Sequence, residues 1–267
     1  MDAGEELKRE LTRAWDFHAD SYDRTPRHGI LHDDEWKAWR RLMAAVLGDP
    51  AHSDMPRLRL LDVGTGTGLM ALLASELGHE VTGLDLSERM LARARANGAD
   101  AGLAVEWVVG DAETITGARH RYDALMSRHL LWTLPHPARA MAAWRDAVRP
   151  GGLVVTIDGM VPARPWPIRR AIELAQWIVE RRHGSSHQYS DAASAQLPLR
   201  VQRGTEAVAG LMRDAGFERI RVRTLREVDR VERAHLSPLE RLADPWQRYL
   251  ATARTPILVA EAGATEP

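Results

Sequence analysis

Apolar positions between residues 58 and 160 form short β-rich runs that alternate with segments of helical period: "LRLLDVG", "TGLMALLASELG", "HEVTGLDL", "SERMLARARANGA", "VEWVVGD", "YDALMSR", "ARAMAAWRDAV" and "GGLVVTIDG". That alternation predicts βαβ units and an α/β, doubly wound arrangement with helices on both faces of a sheet. Upstream, Leu7, Leu11 and Ala14, then Trp36, Trp39, Leu42, Met43 and Val46, recur at helical spacing. "SYDRTPRHGILHDD" breaks that helical block with Pro26 and Gly29, and "GDPAHSDMPR" reads as a linker. Downstream, a helix is expected over Arg169 to Arg182, a loop over "HGSSHQYSDAASAQLP", a helix over "TEAVAGLMRDAGF" and a strand in "ERIRVRTLREV". A helical stretch near Pro238 to Ala253 is expected before a last strand in "TPILVAEA". The chain thus divides into an N-terminal helical lid (1–50), a core (56–160), an insertion set above the sheet as a cap (161–203) and a C-terminal part of the core sheet (204–267).

With 267 residues, 45% of them hydrophobic, the chain can bury a full core. Its 36 basic and 37 acidic residues leave a formal net charge of -1, so no global field draws it to nucleic acid or an anionic membrane. The absence of cysteine removes thiolate metal sites, cysteine nucleophiles and disulfides. No window approaches a membrane-spanning length and the N-terminus is charged, so a cytoplasmic protein without a membrane partner is expected.

The chemistry centres on "DVGTGTG", where Gly64, Gly66 and Gly68 link an apolar strand to a helix. Such a turn offers backbone N–H groups and a helix N-terminus at the strand's carboxyl end, where doubly wound folds bind ligands. The spacing is G-x-G-x-G, with Leu69 where the dinucleotide fingerprint needs its third glycine, and no lysine follows to make a P-loop. Asp85 ends the next strand and could accept both ribose hydroxyls, a geometry common to nicotinamide and S-adenosylmethionine sites. Asp111, in "WVVGDAE", sits at a third strand end, where it could take an adenine amine.

On "LLDVGTGTG", "GLDLS", "GDAE", "YDALMSRHLLWTL" and "VRPGGLVVTIDG", residues 58 to 160 resemble a class I S-adenosylmethionine-dependent methyltransferase. The style is that of the small-molecule group that includes the ubiquinone and menaquinone C-methyltransferases. The resemblance implies a Rossmann-like, seven-stranded mixed sheet with the lid at its N-terminus and the cap after the fifth strand. It implies S-adenosylmethionine as cofactor, with Gly64, Thr65, Gly66 and Gly68 holding the methionine part and Asp62 near its amino group. It likewise assigns Asp85 to the ribose and Asp111, with Ala112, to the adenine. "AWDFHADSYDRTPRHG" is similar to an N-terminal segment that folds over the cofactor in bacterial members, which brings in Tyr22.

Leu86 and Met90 either flank the adenine or belong to the core. After the fourth strand, Ser127, Arg128, His129 and Trp132 are expected to line the site, Ser127 toward the cofactor and Arg128 and Trp132 toward the acceptor. His129 is the expected general base, needed only where the nucleophile must lose a proton; otherwise it is a strand-end histidine satisfied by the backbone. His28 and Trp166 are further acceptor-side candidates. The pairs His28 and His32, and His183 and His187, have a spacing a metal could use but no third convergent ligand, so no metal is expected. Arg164, Arg169, Arg170, Arg181, Arg182, Arg200 and Arg203 read mainly as solvated helix faces. The expected acceptor is a small molecule methylated at oxygen or nitrogen, in bacterial secondary metabolism. The alternatives are C-methylation of a quinone-like ring, cofactor binding without catalysis, or methylation of RNA or protein.

Overall fold

Seven strands, β1 (Arg59–Val63), β2 (Glu80–Asp85), β3 (Glu106–Val109), β4 (Tyr122–Arg128), β5 (Val148–Met160), β6 (Glu218–Thr224) and β7 (Gln247–Arg254), form one sheet in the order β3-β2-β1-β4-β5-β7-β6 in the computed structural model. It describes residues 3–24, 28–160, 164–183, 190–201, 204–244 and 247–256. Strands β3, β2, β1, β4 and β5 pair in parallel, and β7 runs antiparallel between β5 and β6. β1 and β4 lie at the middle of the sheet and are buried along nearly their whole length, which is why they read as unbroken apolar runs. The strand order reverses between β1 and β4, and doubly wound sheets open a crevice at the carboxyl ends there.

The helices are α1 (Ala3–His18), α2 (Asp33–Leu47), α3 (Leu69–Glu76), α4 (Glu88–Ala101), α5 (Pro137–Ala147), α6 (Trp166–His183), α7 (Asp191–Ala195), α8 (Pro198–Val201), α9 (Thr205–Asp214), α10 (Arg226–Ala234) and α11 (Pro238–Ala243). One sheet face buries Trp39 and Met43 of α2, Leu73 and Leu77 of the α3 segment and Val228 of α10. The other buries Met141 and Trp144 of α5 and Met212 of α9. α4 starts where the side chain of Ser87 accepts from the Met90 amide at 3.0 Å, and it ends on Gly102 at φ 66. α1 packs Leu7 and Leu11 against Ala193 and Leu197 of the insertion, with Trp132 partly buried between them.

One expectation about the C-terminal part needs correction. The helix from Pro238 stops at Ala243, and Gln247–Arg254 is β7, while most of "TPILVAEA" lies outside the described residues. "QRYLATAR" is alanine-rich and nearly all buried between two neighbours, so it shows neither the alternation nor the β-branched content of a half-exposed strand. A short helix, α7, stands inside the expected loop 183–198, capped by Ser190. His187, Arg203 and residues 257–267 lie outside the described residues.

Candidate functional site

The glycine turn after β1 is built from its own chain. The amides of Gly64 and Thr65 donate to the Leu84 carbonyl at 2.8 and 3.0 Å, fixing the turn against the end of β2. Gly64, Gly66 and Gly68 have φ of 66, 56 and 92, a region costly for residues with a Cβ. A Cβ on Gly68 would come within 2.7 Å of the Trp107 ring, so this glycine serves the packing of α3. Beside Gly66 nothing lies within 4 Å of where a Cβ would sit, and its backbone faces a cavity.

That cavity holds about 780 Å³ of space not filled by atoms, the open solvent at its mouth included. Gly64, Gly66, Asp85, Leu86, Met90, Asp111, Ala112, Arg128, His129 and Tyr22 line it, as expected from their positions in the sequence. Asp85 accepts from the amides of Gly66 at 2.8 Å and Ser87 at 2.9 Å. Burial raises its pKa, and these backbone amides counter the rise. Each carboxylate oxygen has two lone pairs, so Asp85 keeps acceptor capacity for hydroxyls in the cavity.

Asp111 lies across the cavity with Oδ1 accepting from the Glu113 amide at 2.8 Å and Oδ2 held by Lys8 Nζ at 2.7 Å. Burial pushes the Asp111 carboxyl up, but Lys8 and the Glu113 amide outweigh it and its pKa lies below the usual value. Lys8 also pairs with the fully buried Glu113 at 2.7 Å. The lid helix α1 is therefore fastened to the edge of the cavity, and Asp16 reinforces this by accepting from Ser87 Oγ at 2.6 Å.

A family model described as a methyltransferase domain matches residues 61–156. Residues 61–156 of the chain thus carry a methyltransferase domain. Among relatives, it is 29% identical over 133 residues to a ubiquinone biosynthesis O-methyltransferase of Cereibacter sphaeroides (strain KD131 / KCTC 12085), a match covering 50% of this chain and 53% of that one. It is 28% identical over 194 residues to a ubiquinone/menaquinone biosynthesis C-methyltransferase of Bordetella parapertussis, covering 69% and 70%. An S-adenosylmethionine-dependent methyltransferase structure from Mesorhizobium loti superposes with a TM-score of 0.54 at 25% identity, covering 81% of this chain and 97% of that one. The chain spans about half the length of the first of these relatives.

The residues of this methyltransferase domain fit S-adenosylmethionine as cofactor. The open backbone of Gly66 and the carboxylates of Asp85 and Asp111 face one cavity, as an adenosine with a methionine tail requires. Asp62 and Thr65 stand behind the turn rather than in the lining. Thr65 Oγ1 donates to Asp62 Oδ2 at 2.6 Å, Asp62 Oδ1 has no hydrogen-bond partner among the described residues, and burial pushes this carboxyl up to about 7.

At the end of β4, His129 lines the cavity with φ 57, an uncommon conformation for a residue with a Cβ. Its amide donates to the Ile157 carbonyl at 2.8 Å. Its ring meets His28 edge-on at 6.0 Å, and His28 stacks on Tyr22 at 4.9 Å, so the loop after α1 lies across this end of the cavity. Arg128 reaches His28 by donating from Nη1 to its carbonyl at 2.9 Å. Its guanidinium stacks 4.9 Å from the Trp39 ring, which makes Arg128 a buried brace as well as a lining residue.

The other expected residues lie elsewhere. Ser127 is buried on the opposite side of β4 from Arg128, outside the lining, because successive strand residues face opposite ways. Trp132 packs against α1 and α7, and Trp166 is 64% exposed, away from the cavity. Among the arginines of the insertion, Arg170 pairs with Glu173 at 3.1 Å and Arg181 covers Trp177, both on exposed helix surface. Residues missed in the sequence are Lys8, Leu11 and Thr12 of α1, Leu84, Ser87 and Gly110 at strand ends, and Leu130, Thr133, Leu134 and Pro135 after β4. The apolar stripe of α1 was a signal for the first group, since Lys8 shares its inner face.

His32 is not isolated, as the sequence suggested. Glu35 and His235 bring ligand atoms within 4.8 Å of it. The two imidazoles are stacked at 3.8 Å with a 16° tilt, so their in-plane lone pairs do not converge on one ion. Asp34 instead holds His235 at 2.9 Å and tethers α2 to the end of α10.

Proposed function

We propose that this protein transfers a methyl group from S-adenosylmethionine to an oxygen or nitrogen of a small molecule. The observation that carries the reading is the single cavity running from the glycine turn to His129, roofed by Lys8, Leu11, Trp15 and Tyr22 of the N-terminal segment. A lid fastened by buried ion pairs leaves room for a small acceptor and disfavours a polymer. The insertion around α7 and α8, packed on α1 and on the 3-10 turn Leu131–Thr133, acts as the cap of that acceptor side. Work in the cytoplasm, in secondary metabolism, goes with this reading.

When bound, the cofactor supplies an electrophilic methyl carbon. The protein's part is alignment and exclusion of water, with Asp85 and Asp111 fixing the adenosine and Tyr22 and His28 closing over it. His129 is the base for a nucleophile that must lose its proton. A second reading, methylation at carbon, is favoured by the C-methyltransferase relative, which aligns over more of the chain than the O-methyltransferase does. The test is transfer from methyl-labelled S-adenosylmethionine to a panel of phenols, amines and quinols. Labelled O- or N-methyl products support the proposal, whereas label found only on ring carbon refutes it.

A further inference from the structure

Four buried side-chain oxygens share one patch of the sheet with no hydrogen-bond partner among the described residues: Ser127 Oγ, Thr156 Oγ1 and both carboxyl oxygens of Asp158. The three residues are 1%, 0% and 2% exposed. Ser127 lies opposite Thr156 across β4 and β5, and Asp158 is two residues further along β5 on the same face. Tyr249 faces Asp158 from β7. The Leu131 amide and the Arg128 charge act on the Asp158 carboxyl against its burial, although neither carboxyl oxygen has a hydrogen-bond partner among the described residues.

Burying a hydroxyl or carboxyl without a partner opposes folding, and "LVV" shows that β5 can carry aliphatic residues. Three such groups together at the carboxyl ends of β4 and β5 are what a polar ligand would satisfy. Ser127 directly precedes Arg128, His129 and Leu130, which line the cofactor cavity, and the buried turn residue Leu131 follows them.

We propose that Ser127, Thr156 and Asp158 form the acceptor subsite, which takes a small molecule through a hydroxyl or amine that donates hydrogen bonds to them. This inference rests on the methyl-transfer reading above. The Leu131–Thr133 turn moves aside to admit the acceptor, which is then held beside the space where the methyl group is delivered. Once ionised, a carboxyl among hydroxyls accepts from phenols, alcohols and amines, and it then repels acceptors that present a carboxylate at this point. Burial holds the Asp158 carboxyl near pKa 8, so at neutral pH it is mostly protonated until a donor enters.

The experiment titrates the protein, saturated with S-adenosylhomocysteine, with catechol, ethanolamine and benzoate by calorimetry at millimolar concentration and at pH 9, above the value of about 8 for Asp158, so that its carboxyl is ionised. Catechol or ethanolamine is expected to bind and benzoate not, and which of the two binds tells an oxygen acceptor from a nitrogen one. Asp158→Asn and the same-shaped Thr156→Val are each expected to weaken that binding by about tenfold or more, with S-adenosylhomocysteine affinity unchanged. Thr156→Val keeps the test open if Asp158→Asn fails to fold. Binding of neither donor probe by the wild type, binding of benzoate as tightly, or unchanged binding in both variants overturns the subsite. If the wild type does not bind S-adenosylhomocysteine, it is the methyl-transfer reading that fails.

Discussion

The buried Asp158 carboxyl makes a quantitative demand on stability. Its pKa is pushed up to about 8 in the folded protein by loss of water, against about 3.9 in an unfolded chain. The folded state therefore keeps a proton that the unfolded state releases, so stability is greatest below about pH 4 and falls as pH rises toward about 8. At about 1.4 kcal/mol per pH unit, Asp158 lowers stability by a ceiling of roughly 6 kcal/mol once both states are ionised. Asp158→Asn removes that titration. Urea unfolding of wild type and variant at several pH values should show the variant gaining on the wild type from about pH 4 upward and levelling off near about pH 8. Asp62→Asn, whose parent carboxyl sits at about 7, should behave alike but level off a unit earlier. A stability difference that does not vary with pH would refute the burial argument for that residue.

Other expectations concern the cavity. Asp85→Ala should weaken S-adenosylhomocysteine binding by roughly 10- to 100-fold, the worth of hydrogen bonds to a charged group, measured by calorimetry. Lys8→Met leaves the buried Glu113 to His136 alone, whose amide and Nδ1 stand at 2.6 and 3.1 Å, and should cost up to roughly 3–5 kcal/mol, seen in urea unfolding together with faster amide exchange along α1. Gly68→Ala drives a Cβ against Trp107 in a strained conformation and should lower stability by about 1–3 kcal/mol without touching the cavity. His129→Gln should keep cofactor affinity and lower turnover with the acceptor found in the panel; unchanged turnover removes its role as base.

Local pattern carried much of this molecule. Strands β1 to β5 and the carboxylates Asp85 and Asp111 were legible because each strand contains an apolar run, and the end of a run fixes where a carboxylate at or just after it projects. Long-range pairing was not legible. Lys8 meets Asp111 across 103 positions, and His235 meets Asp34 across 201. Ser127 was placed at the right strand end but on the wrong side, since period-2 alternation assigns a face only once its neighbours are known. Asp158 in "VVTIDG" carried a usable signal, a carboxyl inside a run otherwise fit for a buried strand, yet its meaning emerged only beside Ser127 and Thr156. β7 escaped because alanine and arginine favour helix where packing does not decide, and here two flanking strands decide.

The account stands on the cofactor that the glycine turn holds. Calorimetric titration with S-adenosylhomocysteine, run beside NAD on the same protein, tests it most directly. Saturable binding of S-adenosylhomocysteine with no signal from NAD is the predicted result. Binding of NAD, or silence with S-adenosylhomocysteine, would contradict it.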